Sequence, residues 1–235
     1  MEKIKIDIDA DALLLKSVGE IASENPEKIG VFKKYGVDFC CGGSKTLKDV
    51  CEESNIDKLL IVGELNKPLT QAGENDENYS LTKKANDWDV NFLIDYIINI
   101  HHTFLRVHIP EASDYVEKIA NVHGNRHPEL LKIRELFTKM SEAMILHLDK
   151  EEEGLLTDIK IGKKENIEKE IEDALYYHEY VGHILKEMLF LSSGYSVPQD
   201  ACASYKHAYE LLKNISDDIM IHVHMENNIL FKKII

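Results

Sequence analysis

The chain lacks any long apolar run. Its longest apolar stretches, such as Tyr96-Ile97-Ile98, are interrupted within a few residues, far short of the ~20 needed to cross a bilayer. Met1 to Ala12 is not expected to act as a signal peptide either: Lys3-Ile4-Lys5-Ile6-Asp7-Ile8-Asp9 alternates charge with aliphatics and holds no unbroken apolar core. A cytoplasmic protein without a membrane partner is therefore expected. There is no disulfide framework either. Of four cysteines, Cys40 and Cys41 are adjacent, while Cys51 and Cys202 stand alone and are expected to be ordinary buried residues. Basic charge is in deficit, with 28 Lys and Arg against 42 Asp and Glu and a net charge of −14. So acidic a surface repels phosphate backbones, which excludes nucleic acid and favours small molecules, cations or a basic protein face. Proline is scarce and aromatics make up only 8%, and no low-complexity tract occurs. What remains is an ordinary globular composition in 235 residues, enough for one sizeable core plus a small module.

Residues 1–66 read as a small helical N-terminal domain. Asn25-Pro26 suggests an N-cap followed by Pro at the first helical position. That helix runs through Ile29 and Phe32 to Tyr35, with Gly36 as its stop. After Cys40-Cys41-Gly42-Gly43, Ser44 or Thr46 can cap a helix carrying Leu47, Val50 and Cys51. Residues 67–87 are polar, broken by Pro68 and Gly73, and read as a linker. From 88 to 235 the pattern is long and helical. The first helix covers about 88–108, with Phe92, Leu93, Ile97, Ile98, Leu105 and Ile109 as apolar positions, and Pro110 is expected to kink or end it, with a further turn or two to about Val122. The second runs from near Pro128 to about Ile159, the third over about 164–192, and the fourth from after Pro198 to about Lys233. Four such helices on short loops predict an all-α antiparallel four-helix bundle.

Residues four apart share a helix face. His147 and Glu151 lie on a stripe with Leu136, Met140, Ala143 and Leu155; His222 and Glu226 lie with Leu211, Ile215, Ile219 and Ile229. His178 shares its stripe with Ile171, Ala174, Leu175, Val181 and Leu185, and His102 aligns with Ile98, Leu105 and Ile109. A single His on an apolar face is more often a hydrogen-bonded core residue, and a lone His-x-x-x-Glu is an exposed pair worth about a few tenths of a kcal/mol. Neither account explains all four helices at once. Burying two carboxylates and four imidazoles costs on the order of several kcal/mol per unpaired charge, a cost that a metal removes. Imidazole with carboxylate and no thiolate suits Fe, Mn or Zn, and bundle cores of this kind recurrently hold two irons. Two bridging carboxylates and two imidazoles per ion, with an oxo or hydroxo bridge, leave one position open.

Three stretches resemble the hemerythrin-like superfamily, and more narrowly its repair-of-iron-centres family of di-iron proteins: Phe32-Lys33-Lys34-Tyr35-Gly36-Val37-Asp38-Phe39-Cys40-Cys41-Gly42-Gly43, His147-Leu148-Asp149-Lys150-Glu151-Glu152, and Asp218 through Phe231 with His222, His224 and Glu226. The resemblance implies a protein that restores iron–sulfur clusters damaged by nitric oxide or peroxide, by donating iron. It implies His102, His147, His178 and His222 as terminal imidazoles and Glu151 and Glu226 as bridges of an oxo- or hydroxo-bridged pair of Fe ions. Iron–sulfur proteins would be the clients, and NO or O2 the small molecules met at the open position. His101 competes with His102, since one residue turns a helical side chain by about 100°; the family spacing to Pro110-Glu111 favours His102. His123 is an additional ligand or an outer hydrogen-bond donor, and His224 should point away from His222. The Pro that follows each His-x-x-x-Glu segment in the family is missing here.

Cys40 and Cys41 are expected in a flexible turn ahead of a helix, whose N-terminus would lower the thiol pKa. As cofactor-binding residues they would hold iron or a cluster transiently, act as a redox switch, or touch the client; the plain alternative is a tight turn with one thiol buried and one idle. Metal delivery, reduction of nitric oxide or peroxide, and reversible sensing of O2 or NO all require the same donor set. So small an N-terminal module leans on something, and a homodimer is expected.

Overall fold

The computed structural model describes residues 10–67 and 85–235. The charged-aliphatic start, and residues 68–84 of the expected linker, lie outside the described residues. Among these residues every regular element is helical, apart from the single bridge Ser17–Thr46. No helix among them is long and apolar enough to cross a membrane. The chain divides into two compact units, residues 1–93 with 223–235, and residues 94–222.

In the first unit, helix α1 (Val18–Glu24) opens on a capping box, with the Ser17 side chain and Glu20 satisfying each other's backbone N–H groups. A 3₁₀ turn, Pro26–Lys28, leads into α2 (Ile29–Tyr35), so Pro26 sits at a helical start but Asn25 makes no side-chain cap. Gly36 ends α2 at φ +66°, a left-handed conformation that glycine adopts without a Cβ penalty. Thr46, rather than Ser44, caps α3 (Leu47–Glu53) by accepting from the Asp49 N–H. Asp57 caps α4 (Lys58–Leu65). Val18, Ile21, Phe32, Phe39, Leu47, Ile61 and Leu65 are buried here, together with Met225, Leu230 and Phe231 near the C-terminus. Backbone bonds from Val18 to the Lys45 carbonyl (2.9 Å) and from Gly19 to the Gly43 carbonyl (2.8 Å) tie α1 to the Cys-Cys-Gly-Gly loop. At the end of the expected linker, Ala85–Asp87 form a 3₁₀ turn with Ala85 buried.

Four long helices follow. Helix α5 runs as Val90–Tyr96, a π-helical turn Ile97–His102, and Thr103–His123. Helix α6 runs as Glu129–Lys150, a π turn Glu151–Leu155, and Leu156–Lys160. Helix α7 is Ile167–Leu191, and α8 runs as Ala203–Met225, a π turn Glu226–Leu230, and a 3₁₀ turn Phe231–Lys233. The short connections after α5 and α6 make successive helices antiparallel, the arrangement of a four-helix bundle. Its core is drawn from stripes such as Leu105, Ile109, Ala112 and Val116 on α5 and Ile133, Phe137, Met140 and Met144 on α6. Each of these side chains larger than alanine, fully buried, contributes about 1.5–3 kcal/mol.

Pro110 does not end the first bundle helix, which continues through it to His123. An internal proline costs about 3 kcal/mol, which the buried residues on either side of it offset. Two expected core positions are exposed: Phe92, which packs edge-on against Trp88, and Leu175, at the edge of the His178 stripe.

Candidate metal centre

The π turns lie where the candidate ligands lie. His102 closes the first, Glu151 opens the second and Glu226 opens the third. A π turn closes i→i+5 rather than i→i+4 bonds, and such turns cluster at functional sites because they re-aim side chains at a cost in backbone geometry. His178 sits in the regular winding of α7.

His102, His147, Glu151, His178, His222 and Glu226 are all buried. The Nε2 atoms of His147 and His178 approach to 2.9 Å, and those of His102 and His222 to 3.1 Å. Glu151 lies among them, with carboxylate oxygens 3.3 Å from His147 Nε2, 3.7 Å from His102 Nε2 and 3.8 Å from His178 Nε2. Glu226 stands one turn beyond His222 on the continuous helix α8. Two groups result, His102/Glu151/His222/Glu226 and His147/Glu151/His178/Glu226, each with donor atoms within 4.8 Å of one another. Both carboxylates belong to both groups.

Nitrogen and oxygen donors held about 2.1 Å from a common ion stand about 3.0 Å apart when adjacent and about 4.2 Å when opposite. The separations here fall in that range. Imidazole nitrogens aimed at one another beside a buried carboxylate form a donor set for a cation, and one without thiolate suits iron.

Side chains that the spacing did not single out orient this set. Glu152 Oε1 lies 2.9 Å from His102 Nδ1 and also accepts from Arg106 (3.0 Å), so the ring is held from its far side. Such partners fix the tautomer of a ligating imidazole and raise its basicity. Their signal was present in the Glu151-Glu152-Glu153 run and in Arg106, one turn after His102. Tyr177 stacks on the His147 ring (4.7 Å between centroids, 10° between planes) and donates to the Ala143 carbonyl.

The remaining histidines lie elsewhere. His101 is buried with Nδ1 2.9 Å from Asp218 Oδ1 and stacks on the His222 ring at 5.9 Å, outside both groups. His123 lies 3.2 Å from the Cys202 sulfur and is in neither group. Cys202 is exposed, contrary to the expectation of burial, because it precedes helix α8 in a connecting loop; Cys51 is buried, and burial pushes its thiol up. His224 is turned toward Ser23 (3.3 Å) and the Phe39 carbonyl (3.3 Å), and burial holds its imidazole down at about 4.

Cys40 is buried and Cys41 half-buried, with their sulfurs 3.7 Å apart. A thiol lowered by a helix N-terminus is not what the loop holds at Cys40. The hydrogen bond to Cys41, burial and the charge of Asp38 all push that thiol well above its usual range. Helix α3 begins only at Leu47, too far along the chain for its dipole to dominate. Donor atoms of Asp38, Cys40 and Cys41 lie within 4.8 Å of one another.

Residues 93–234 match the Hemerythrin HHE cation binding domain, and residues 14–69 match ScdA_N, a domain of unknown function. The chain is 33% identical to the iron-sulfur cluster repair protein ScdA of Staphylococcus epidermidis, over 92% of this chain and 96% of that one. It is 30% identical to a probable iron-sulfur cluster repair protein of Haemophilus influenzae, over 94% and 96%. To the iron-sulfur cluster repair protein YtfE of Escherichia coli it is 28% identical, over 92% and 94%. The chain therefore belongs to the hemerythrin-like family of iron-sulfur cluster repair proteins.

Proposed function

We propose that this protein repairs iron–sulfur clusters damaged by nitric oxide or oxidants, by delivering iron to them from a di-iron centre in its bundle. In this assignment His102 and His222 serve one ion, His147 and His178 the other, and Glu151 and Glu226 bridge the two, with an oxo or hydroxo bridge between the ions. The observation that carries it is the sharing of both buried carboxylates by the two four-residue groups. One cation would leave two of these six donors without a task, whereas two cations use all six.

When bound, the iron supplies the cargo and an electrophilic centre open to small molecules. The protein's own residues do the rest. Glu152 holds His102 through Nδ1, Tyr177 braces the His147 ring, and the apolar stripes around the groups keep water scarce, which strengthens each contact to a charge. Iron held by imidazole and carboxylate, without thiolate, is bound less firmly than in a sulfur cage, as a donor requires. Relatives that match over nearly the whole chain are iron–sulfur cluster repair proteins by name, which supports the same conclusion. Clients would be iron–sulfur proteins that have lost iron.

The test begins with protein purified without added metal. Roughly two irons per chain with oxo-bridge absorption are expected; zinc alone, or no metal, would sink the assignment. Protein loaded with isotopic iron is then mixed with a nitric-oxide-damaged client. Label recovered in the client's rebuilt cluster supports delivery. Turnover of nitric oxide with all label retained would make the protein a reductase instead.

A further inference from the structure

The iron groups do not use the thiol pair, which sits in a closely hydrogen-bonded loop of the first unit. Asp38 Oδ1 accepts from the backbone N–H of Cys40 (3.1 Å), the N–H of Cys41 (2.9 Å) and the thiol of Cys40 (3.2 Å). Asn228 Nδ2 donates to the carbonyls of Phe39 (3.3 Å) and Cys40 (3.1 Å), and His224 Nδ1 donates to that of Phe39. Pinned in this way, the loop keeps one sulfur half-buried, the other buried behind it, and a carboxylate on the buried thiol.

We propose that Cys40 and Cys41 form a peroxide-oxidisable dithiol–disulfide couple, in which Cys41 meets the oxidant, Cys40 closes the disulfide and Asp38 accepts the Cys40 proton. The Cys41 sulfur attacks one peroxide oxygen, the O–O bond breaks, and Cys41 becomes a sulfenic acid with release of water. Cys40 Sγ then attacks Cys41 Sγ, and the S–O bond breaks. Asp38 Oδ1 receives the Cys40 proton and passes it to the departing hydroxide, which leaves as water. Two thiols and one hydrogen peroxide thus give one disulfide and two waters. Exposure sets the order, because only Cys41 is within reach of solvent. The same surroundings that push the Cys40 thiol up keep its proton in place, aimed at Asp38, until Cys41 becomes electrophilic.

A resident cation suits this loop less well, since Asp38 Oδ1 already serves three donors and one thiol is buried. Adjacent α-carbons are about 3.8 Å apart, below the about 4.4–6.8 Å spanned by ordinary disulfides. The bond formed is therefore strained and returns readily to the dithiol with a small thiol reductant. The couple is independent of the iron assignment, and either can fail alone.

The test treats the reduced full-length chain with about one equivalent of hydrogen peroxide, then alkylates and digests it with trypsin. Cleavage after Lys34 and Lys45 isolates residues 35–45, which hold Cys40 and Cys41 but neither Cys51 nor Cys202. The expected peptide has lost two hydrogens, carries no alkyl group, and regains both thiols with dithiothreitol, while Cys51 and Cys202 are alkylated. Sulfinic acid at Cys41 with Cys40 alkylated, crosslinking of two chains through Cys41, or faster oxidation of Cys202 would each overturn the proposal. So would protection of the pair by iron(II) or zinc(II) in the absence of peroxide, which would make it a cation site. Asp38→Asn keeps an oxygen for the two amides but removes the base. Disulfide closure should slow by roughly tenfold, short of the about hundredfold of a well-matched base because a carboxylate is a weak acceptor for a thiol proton. Dimedone should then trap the Cys41 sulfenic acid, and an unchanged closure rate would overturn the role of Asp38.

Discussion

Glu151→Gln separates a metal-bridging carboxylate from a structural one, because the two roles predict opposite signs. The side chain is buried, with its oxygens 3.3–3.8 Å from three imidazole nitrogens. Glutamine has the same shape and no charge. In the metal-free protein the carboxylate's desolvation is the dominant cost, so the variant should lose no stability and gain on the order of 1 kcal/mol. With iron the balance reverses. Loss of a partner one shell out already costs about 10–100-fold in metal affinity, so loss of a shared ligand should cost at least about a hundredfold. While iron is in excess of both dissociation constants, that removes about 2.7 kcal/mol of the stabilisation iron confers. Set against the gain of about 1 kcal/mol in the metal-free protein, the net loss is about 1.7 kcal/mol, so for a domain of this size the melting temperature should fall by about 3–7 °C relative to iron-loaded wild type. Anaerobic calorimetry with and without iron(II), together with metal analysis, reads both effects. Equal destabilisation with and without iron would make Glu151 a structural residue, and unchanged iron content would remove it from the ligand set.

Glu152→Ala should weaken iron binding by about 10–100-fold while leaving the helix content unchanged, because it frees the far side of His102; a competition titration with a chelator reads it. Gly43→Ala should cost about 1–3 kcal/mol in urea denaturation, because a Cβ there would meet Asn228 Oδ1 at 2.5 Å and the Phe39 carbonyl oxygen at 2.9 Å. An unaffected midpoint would refute the close approach. Tyr195 is buried against Ser216 (2.8 Å), and burial pushes its phenol from the usual 10 up to about 12. A raised folded-state value means a contribution fully present below pH 10 and lost as pH rises from 10 to about 12, on the order of a few kcal/mol. Tyr195→Phe should lose that slope in alkaline denaturation curves.

The helical periodicity of the bundle, and the placement of His147/Glu151 and His222/Glu226 on apolar stripes, were legible because helix geometry makes residues four apart neighbours whatever surrounds them. The turn of His224 away from His222 follows from the same geometry. Local chemistry likewise marked Gly36 as a helix stop and Thr46 as one of two caps. Cys202 was misjudged because burial of a lone residue in a loop has no periodic signature. The reversal at Cys40 came from the hydrogen bond to Cys41, from burial and from the charge of Asp38, and the burial is set by folding and not by the residues of the loop alone.

The sequence by itself determined an all-helical chain, an acidic surface, and six histidine and glutamate positions on inward faces. Only the tertiary structure decided that His102 rather than His101 joins the groups, that Glu152 stands behind it, and that π turns occur where His102, Glu151 and Glu226 lie. The physical reason is that a π turn adds a residue to one winding without a motif of its own, and whether adjacent histidines meet a carboxylate depends on the neighbouring helix. Helix faces follow from spacing along one chain segment, whereas a site built from four segments is set by their packing.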